Sequence, residues 1–222
     1  MPRTLTTTKI LIGLNVVVFL LWNAFAPETA GAGPLALYLP GHPDFGPWQY
    51  LTSIFMHADL GHLVMNMFGL FMFGSVLERM WGPRRFAIFF LATGLGAGLV
   101  FSAVTTWEVQ TGIEQWTARG FERGAMERGL ENPNTQAALM TILQGAPGEV
   151  DEATVSELAD LYFAYDIPVV GASGAIYGIL TAFGLLFPNA KLALIFLPVP
   201  VPAKFFIPAL LLMDLLSGVT GV

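Results

Sequence analysis

Five apolar stretches, at about 9–26, 60–77, 86–106, 168–187 and 203–217, run through this chain, and its polar residues gather between them. Each stretch is close to the ~20 residues that an α-helix needs to cross the hydrocarbon of a bilayer. Lipid offers backbone N–H and C=O groups nothing to bond to, so segments of this kind satisfy themselves as helices. The pattern predicts an all-α polytopic membrane protein with five spans. The first stretch lacks a small-x-small cleavage site, and the later ones would hold the chain in the membrane in any case, so it reads as a span rather than a removed leader.

The residues between the stretches punctuate them. Asp59 is placed to cap a helix starting at Leu60. Trp81-Gly82-Pro83 ends that helix and starts the next. Gly94, Gly96 and Gly98 in the third stretch, and Gly174 and Gly178 in the fourth, permit close helix contact. Pro188-Asn189 stops the fourth span, and Leu197-Pro198-Val199-Pro200-Val201-Pro202 reads as an extended polyproline connector. Segment 27–57 is rich in Pro and Gly but carries Leu35, Leu37, Tyr38, Phe45, Trp48 and Tyr50. A loop this greasy is expected to lie partly in the membrane interface. Segment 107–167 reads as an acidic external insertion, with Val155, Leu158, Leu161 and Tyr162 at helical spacing over about 153–165. The chain thus divides into 1–106, 107–167 and 168–222, with the first and last parts forming one membrane domain.

Composition agrees, with 55% hydrophobic and 12% charged residues, where soluble domains carry roughly a quarter charged. The net charge of −6 is uneven. Residues 107–166 hold eleven acidic residues against Arg119, Arg123 and Arg128, a balance of −8, which leaves about +2 for the rest. The few scattered basic residues exclude a nucleic-acid footprint. Arg3, Lys9, Arg79, Arg84, Arg85, Lys191 and Lys204 all fall on one side of a simple weave. The positive-inside rule makes that side cytoplasmic, with 27–57 and 107–167 outside. The expected location is a bacterial inner (plasma) membrane. Cysteine is absent, which removes disulfides, thiolate metal sites and cysteine nucleophiles. The histidine spacing suits no metal motif, and no cofactor is expected.

Candidate chemistry lies at matched depth. His62 and Asn66 are one turn apart at the outer start of the second span, and Ser173 and Tyr177 one turn apart at the outer start of the fourth. Residues at i and i+4 share a helix face, so both pairs can face one pocket. A serine hydroxyl with a general base suits acyl transfer. Amide and imidazole N–H groups of Asn66 and His62, with the serine's own N–H, suit its oxyanion. Gly171 and Gly174 allow a substrate strand to approach closely. Singly, Ser173 would read as helix packing and Asn66 as interhelical glue; together at one depth they read as a site. His57 reads as a structural residue bonding loop backbone, and His42 as a solvated loop residue.

The set Trp48…His57-Ala-Asp-Leu-Gly-His62-Leu-Val-Met-Asn66, Glu78-Arg79-Met-Trp-Gly82 and Gly171-Ala-Ser173-Gly174-Ala-Ile-Tyr177-Gly178 resembles the rhomboid intramembrane serine proteases. The resemblance covers about 9–106 and 168–222. It implies a six-helix bundle with a Ser–His dyad opening to the outside, of which five spans are present here. By it Ser173 is the nucleophile, His62 and Asn66 are oxyanion donors, and Tyr177 stacks beside the dyad histidine. The substrates would be transmembrane segments of other proteins, cut near their outer ends. Two departures stand out. The family often has Trp-Arg where this chain has Trp48-Gln49, and no histidine follows Ser173 before Val222. The sixth helix, with the dyad histidine, is expected beyond Val222. The alternative is a catalytically inactive relative that binds or escorts membrane proteins.

Overall fold

The apolar stretches are helices in the computed structural model, which describes residues 6–26, 33–194 and 197–220. Helix α1 spans Thr6–Phe25, α2 Leu60–Trp81 and α3 Pro83–Ala118, and each is long and apolar enough to cross a membrane. Two shorter apolar helices follow, α7 at Ser173–Leu186 and α8 at Ala203–Thr220. Between α3 and α7 lie α4 (Arg123–Leu130), α5 (Thr135–Gln144) and α6 (Glu152–Asp166). The chain is an integral membrane protein built as a helical bundle.

Local chemistry sets the boundaries. The Asp59 carboxylate accepts the His62 N–H at 2.8 Å, the expected cap of α2. Gly82 closes that helix at φ +83°, where a side chain would be strained, and Pro83 opens α3. Within α2, residues Leu70–Gly74 form a π-helical turn, a widening that the apolar pattern did not announce. At the N-terminus of α1, the Glu78 carboxylate accepts the N–H groups of Thr6, Thr7 and Thr8 and the Thr8 hydroxyl. This carboxylate thereby bolts the start of α1 to the end of α2, and Glu78 is 2% exposed.

The bundle core is centred on α7. Leu70, Leu77, Phe86, Phe90, Ala175 and Ile179 are sealed from solvent. Gly174 faces Ala97 and Gly178 faces Thr93 of α3 so closely that a Cβ on either glycine would collide. The spaced small residues thus do what their spacing predicts. Ile10, Leu20, Ile88, Leu99 and Val100 stay exposed on the outside of the helices, a surface suited to lipid.

Three features differ from the sequence reading. Helix α3 does not stop near 106 but continues to Ala118, 36 residues or roughly 54 Å. Its far half carries a folded helical cap rather than one isolated amphipathic helix. Leu130, Ala138 and Tyr162 pack on Val109 and Ile113, and Met126, Ile142 and Leu158 pack on Trp116 and Phe121. The helix expected over 153–165 is α6, capped by the Asp151 carboxylate on the Thr154 N–H at 2.9 Å.

The second difference is that Leu197–Pro202 is β2, paired antiparallel with β1 (Lys191–Leu194), with Lys191 opposite Pro202 and Leu192 opposite Val201. The three prolines fall on alternate residues, so their missing N–H groups share one edge and the intervening residues keep theirs for the partner strand. The third is that His42 is not solvated. It is 8% exposed, stacked on Tyr38 with ring centroids 4.5 Å apart.

Candidate active site

Ser173 is the first residue of α7, and the chain reaches it as an extended segment. Val169 and Leu37 exchange backbone hydrogen bonds of 2.8 and 2.9 Å, and the Gly171 N–H donates to the Ser53 carbonyl at 2.9 Å. Helix α7 has 14 residues, about 21 Å of rise, against about 30 Å of hydrocarbon. The serine therefore begins a helix too short to fill the bilayer, below a segment that is not helical. First-turn N–H groups have no partner inside their own helix, so the electropositive end of α7 lies at the hydroxyl.

Gly171 holds the site together. Its φ of +120° is one that side chains rarely adopt. A Cβ built there would stand 2.7 Å from both Cε1 and Nε2 of His62 and 3.8 Å from the Ser173 Oγ. The imidazole edge and the serine hydroxyl thus both lie near one point on the backbone, and the imidazole leaves no room there for a side chain. Gly174 sits on the opposite side of the helix start, pressed against Ala97. Of the two roles expected of Gly174, close helix contact and substrate approach, this packing on α3 is the first.

Asn66 is buried, and one amide hydrogen donates to the His62 carbonyl at 2.9 Å. The second amide hydrogen remains to serve another acceptor. Tyr177 lies one turn below Ser173 and packs against the bundle core. Of the residues singled out from sequence, Ser173, Gly171 and His62 are brought together, and Asn66 and Tyr177 stand one turn deeper.

His57 has a place that spacing alone does not reveal. It is 2% exposed, its ring meets His62 edge-on at 5.0 Å between centroids, and neither ring nitrogen makes a hydrogen bond among the described residues. The expected tie to loop backbone is reduced to a weak interaction with the Phe55 backbone. Burial, and then the charge of His62, lower its pKa to about 4, while the Phe55 backbone and Asp59 pull weakly the other way. A neutral imidazole thus backs His62. The signal for it in the sequence was a histidine just ahead of a helix, five residues before a second one in its first turn.

The loop between α1 and α2 is anchored despite its departure from Trp-Arg. Gln49 is fully buried; its amide donates to the Asp44 carbonyl at 2.7 Å and to the Pro34 carbonyl at 3.4 Å, and its carbonyl accepts the Tyr38 N–H. The Trp48 indole N–H donates to Pro34 as well, at 2.8 Å.

The rhomboid domain model matches residues 44–113 and 134–222, which takes in α5 and α6. The chain is similar to the mitochondrial RHOMBOID-like protein 12 of Arabidopsis thaliana, 26% identical over 90% of this chain and 47% of the relative. It is similar to rhomboid protease GluP of Bacillus subtilis, 32% identical over 44% of this chain and 20% of the relative. It is also similar to rhomboid protease AarA of Providencia stuartii, 29% identical over 50% and 41%. The chain spans less than half the length of these relatives. No solved structure matches it significantly.

Proposed function

Since this chain belongs to the rhomboid family, we propose that it is an intramembrane serine endopeptidase that cuts transmembrane segments of other membrane proteins near their outer ends. The observation that carries this reading is the seating of His62 Nε2 and Ser173 Oγ about Gly171. In the reaction the Ser173 hydroxyl adds to the scissile carbonyl. The oxyanion that forms is received by the Ser173 N–H, the His62 imidazole and the Asn66 amide, donors fixed before charge develops. A strand passing Gly171 places its carbonyl among them, and Tyr177 stacks beside the histidine of the dyad.

The proton acceptor is proposed to be a histidine on a sixth helix following Val222. His57 is a poor substitute, because a group with a pKa of about 4 binds the serine proton weakly. The proposed setting is a bacterial inner membrane, with the N-terminus cytoplasmic and the helical cap outside. Bacterial relatives suit that setting, whereas other relatives carry mitochondrial or chloroplastic names, which suit an organellar membrane equally well. The proposed domain division is a membrane unit of 1–106 and 168–222 interrupted by the external 107–167.

The test is cleavage of a transmembrane substrate in proteoliposomes. The 222-residue chain should be inactive, a chain extended by a sixth helix with an inward histidine should cleave, and Ser173→Ala in that chain should abolish cleavage. Ser173-dependent cleavage by the 222-residue form would overturn the assignment of the base. A second reading is an inactive relative that binds or escorts membrane proteins. It gains ground if the extended chain also fails to cleave.

A further inference from the structure

We infer that His42, in the loop between α1 and α2, is a positioning residue for Ser173, locking the helical cap to the loop and so fixing the strand that enters the site. The inference rests on the proposed role of Ser173, and it starts from four contacts that follow one another along the chain. The Tyr165 hydroxyl donates to the Gly41 carbonyl at 3.1 Å. The His42 Nε2 lies 3.5 Å from the Asp166 carboxylate. Three residues on, Val169 is bridged to Leu37. Two further, the Gly171 N–H reaches Ser53. Ser173 comes two residues later, so the end of α6 at Asp166 and the serine are joined by six residues held in place by the loop between α1 and α2.

His42 is the centre of this contact. Its ring is sandwiched between Tyr38, stacked at 4.5 Å, and Tyr165, tilted at 5.1 Å. Its two nitrogens do opposite jobs. Nδ1 accepts the Asp44 N–H at 3.1 Å, closing a turn within the loop. Because Nδ1 uses its lone pair there, the neutral ring carries its hydrogen on Nε2, facing Asp166. One imidazole thus shapes the loop with one nitrogen and grips the cap with the other. The stack, the turn and the grip join elements 124 residues apart in sequence.

The division of labour gives variants that separate the two roles. His42→Asn keeps an acceptor for the Asp44 N–H, since asparagine closes such turns readily, but is too short to reach α6. His42→Gln can still donate to Asp166. Asp166→Ala cuts the same contact from the other side. Amide hydrogen exchange of the 222-residue chain in lipid nanodiscs is the measurement, read at Val169 and Gly171. The Thr8 amide, held by Glu78 at the far end of the bundle, is the control.

Exchange at Val169 and Gly171 should quicken by about tenfold or more in His42→Asn and in Asp166→Ala, should stay within about threefold of the parent in His42→Gln, and should not change at Thr8. In the extended chain, His42→Asn should lower kcat with KM little changed, and His42→Gln should restore much of it. Unchanged exchange at Val169 and Gly171 in both His42→Asn and Asp166→Ala overturns the inference, as does an equal rise at Thr8. If the exchange pattern holds while the extended parent chain does not cleave, the clamp stands and the protease reading fails.

Discussion

Glu78 accepts both the backbone N–H and the hydroxyl of Thr8, at 2.9 and 2.6 Å, across 70 residues of chain. The same carboxylate caps Thr6 and Thr7. A buried carboxylate with several donors is worth little as a lone charge, but removing it strands every N–H it served. Glu78→Ala should therefore destabilise the bundle by about 3 kcal/mol or more, and Glu78→Gln by less, because the amide keeps one acceptor oxygen. Unfolding in mixed micelles measures both. Equal stabilities for the two variants would show that hydrogen bonding at Thr6–Thr8 is not what the carboxylate contributes.

Gly171→Ala tests the site at its narrowest point. The added methyl group must displace the His62 ring and adopt a φ of +120°. The extended chain should then react with a fluorophosphonate probe at Ser173 at least about a hundredfold more slowly, while its cap and bundle stay folded. Wild-type labelling in this variant would mean that His62 plays no part in the chemistry.

Asn66→Ala should lower kcat by about 10²-fold in the extended chain with a smaller change in KM, the expected mark of a donor that meets charge only as it develops. A change confined to KM would make Asn66 a substrate contact or a packing residue, consistent with its present bond to the His62 carbonyl.

The pH dependence of stability follows from His57. Its pKa in the folded chain, about 4, lies below the ordinary 6.5, so the unfolded chain takes up the proton first on acidification. The folded state is then fully favoured above about pH 6.5 and loses about 3 kcal/mol as the pH falls from there to about 4. His57→Phe should flatten that slope. A slope unchanged in His57→Phe would assign it to other groups.

Orientation is open to single-cysteine labelling, because the chain has no cysteine of its own. Gln136→Cys and Glu149→Cys, both exposed on the cap, should react with an impermeant maleimide on intact cells. Arg84→Cys, at the turn between α2 and α3, should react only after the membrane is opened. The reverse pattern would put the cap and Ser173 on the cytoplasmic side.

Helices α1, α2 and the first part of α3 were readable because each is a long apolar run, and a run of that kind has few other solutions in lipid. Asp59, Gly82 and Pro83 were readable because each acts on its nearest neighbours. The Ser173 site was readable because its residues recur at fixed helical spacings, which preserve relative position without a structure. What escaped was set by contacts between distant segments. The burial of His42 depends on Tyr165, the anchoring by Gln49 depends on backbone carbonyls of Pro34 and Asp44, and the pairing of Leu197–Pro202 depends on strand β1. The C-terminal half of α3 escaped for another reason. Val109, Ile113 and Trp116 are its apolar face, but Glu108 and Glu114 interleave with them and end the uniformly greasy run that marks a span.

Helix α3 has no joint where it leaves the lipid. A rod of roughly 54 Å pivoting at the Gly82 turn carries whatever is built on its far end, and a lean of about 10° would move that end by about 9 Å. Membrane thickness should therefore reach the cap through the tilt of this rod. A thinner bilayer that tips the rod should swing the helices mounted on Val109, Ile113 and Trp116 across the membrane surface. Fluorophore pairs placed on the cap and on α1, compared in bilayers of graded acyl length, would register that swing as a change in distance; a constant distance would mean that the rod holds its angle.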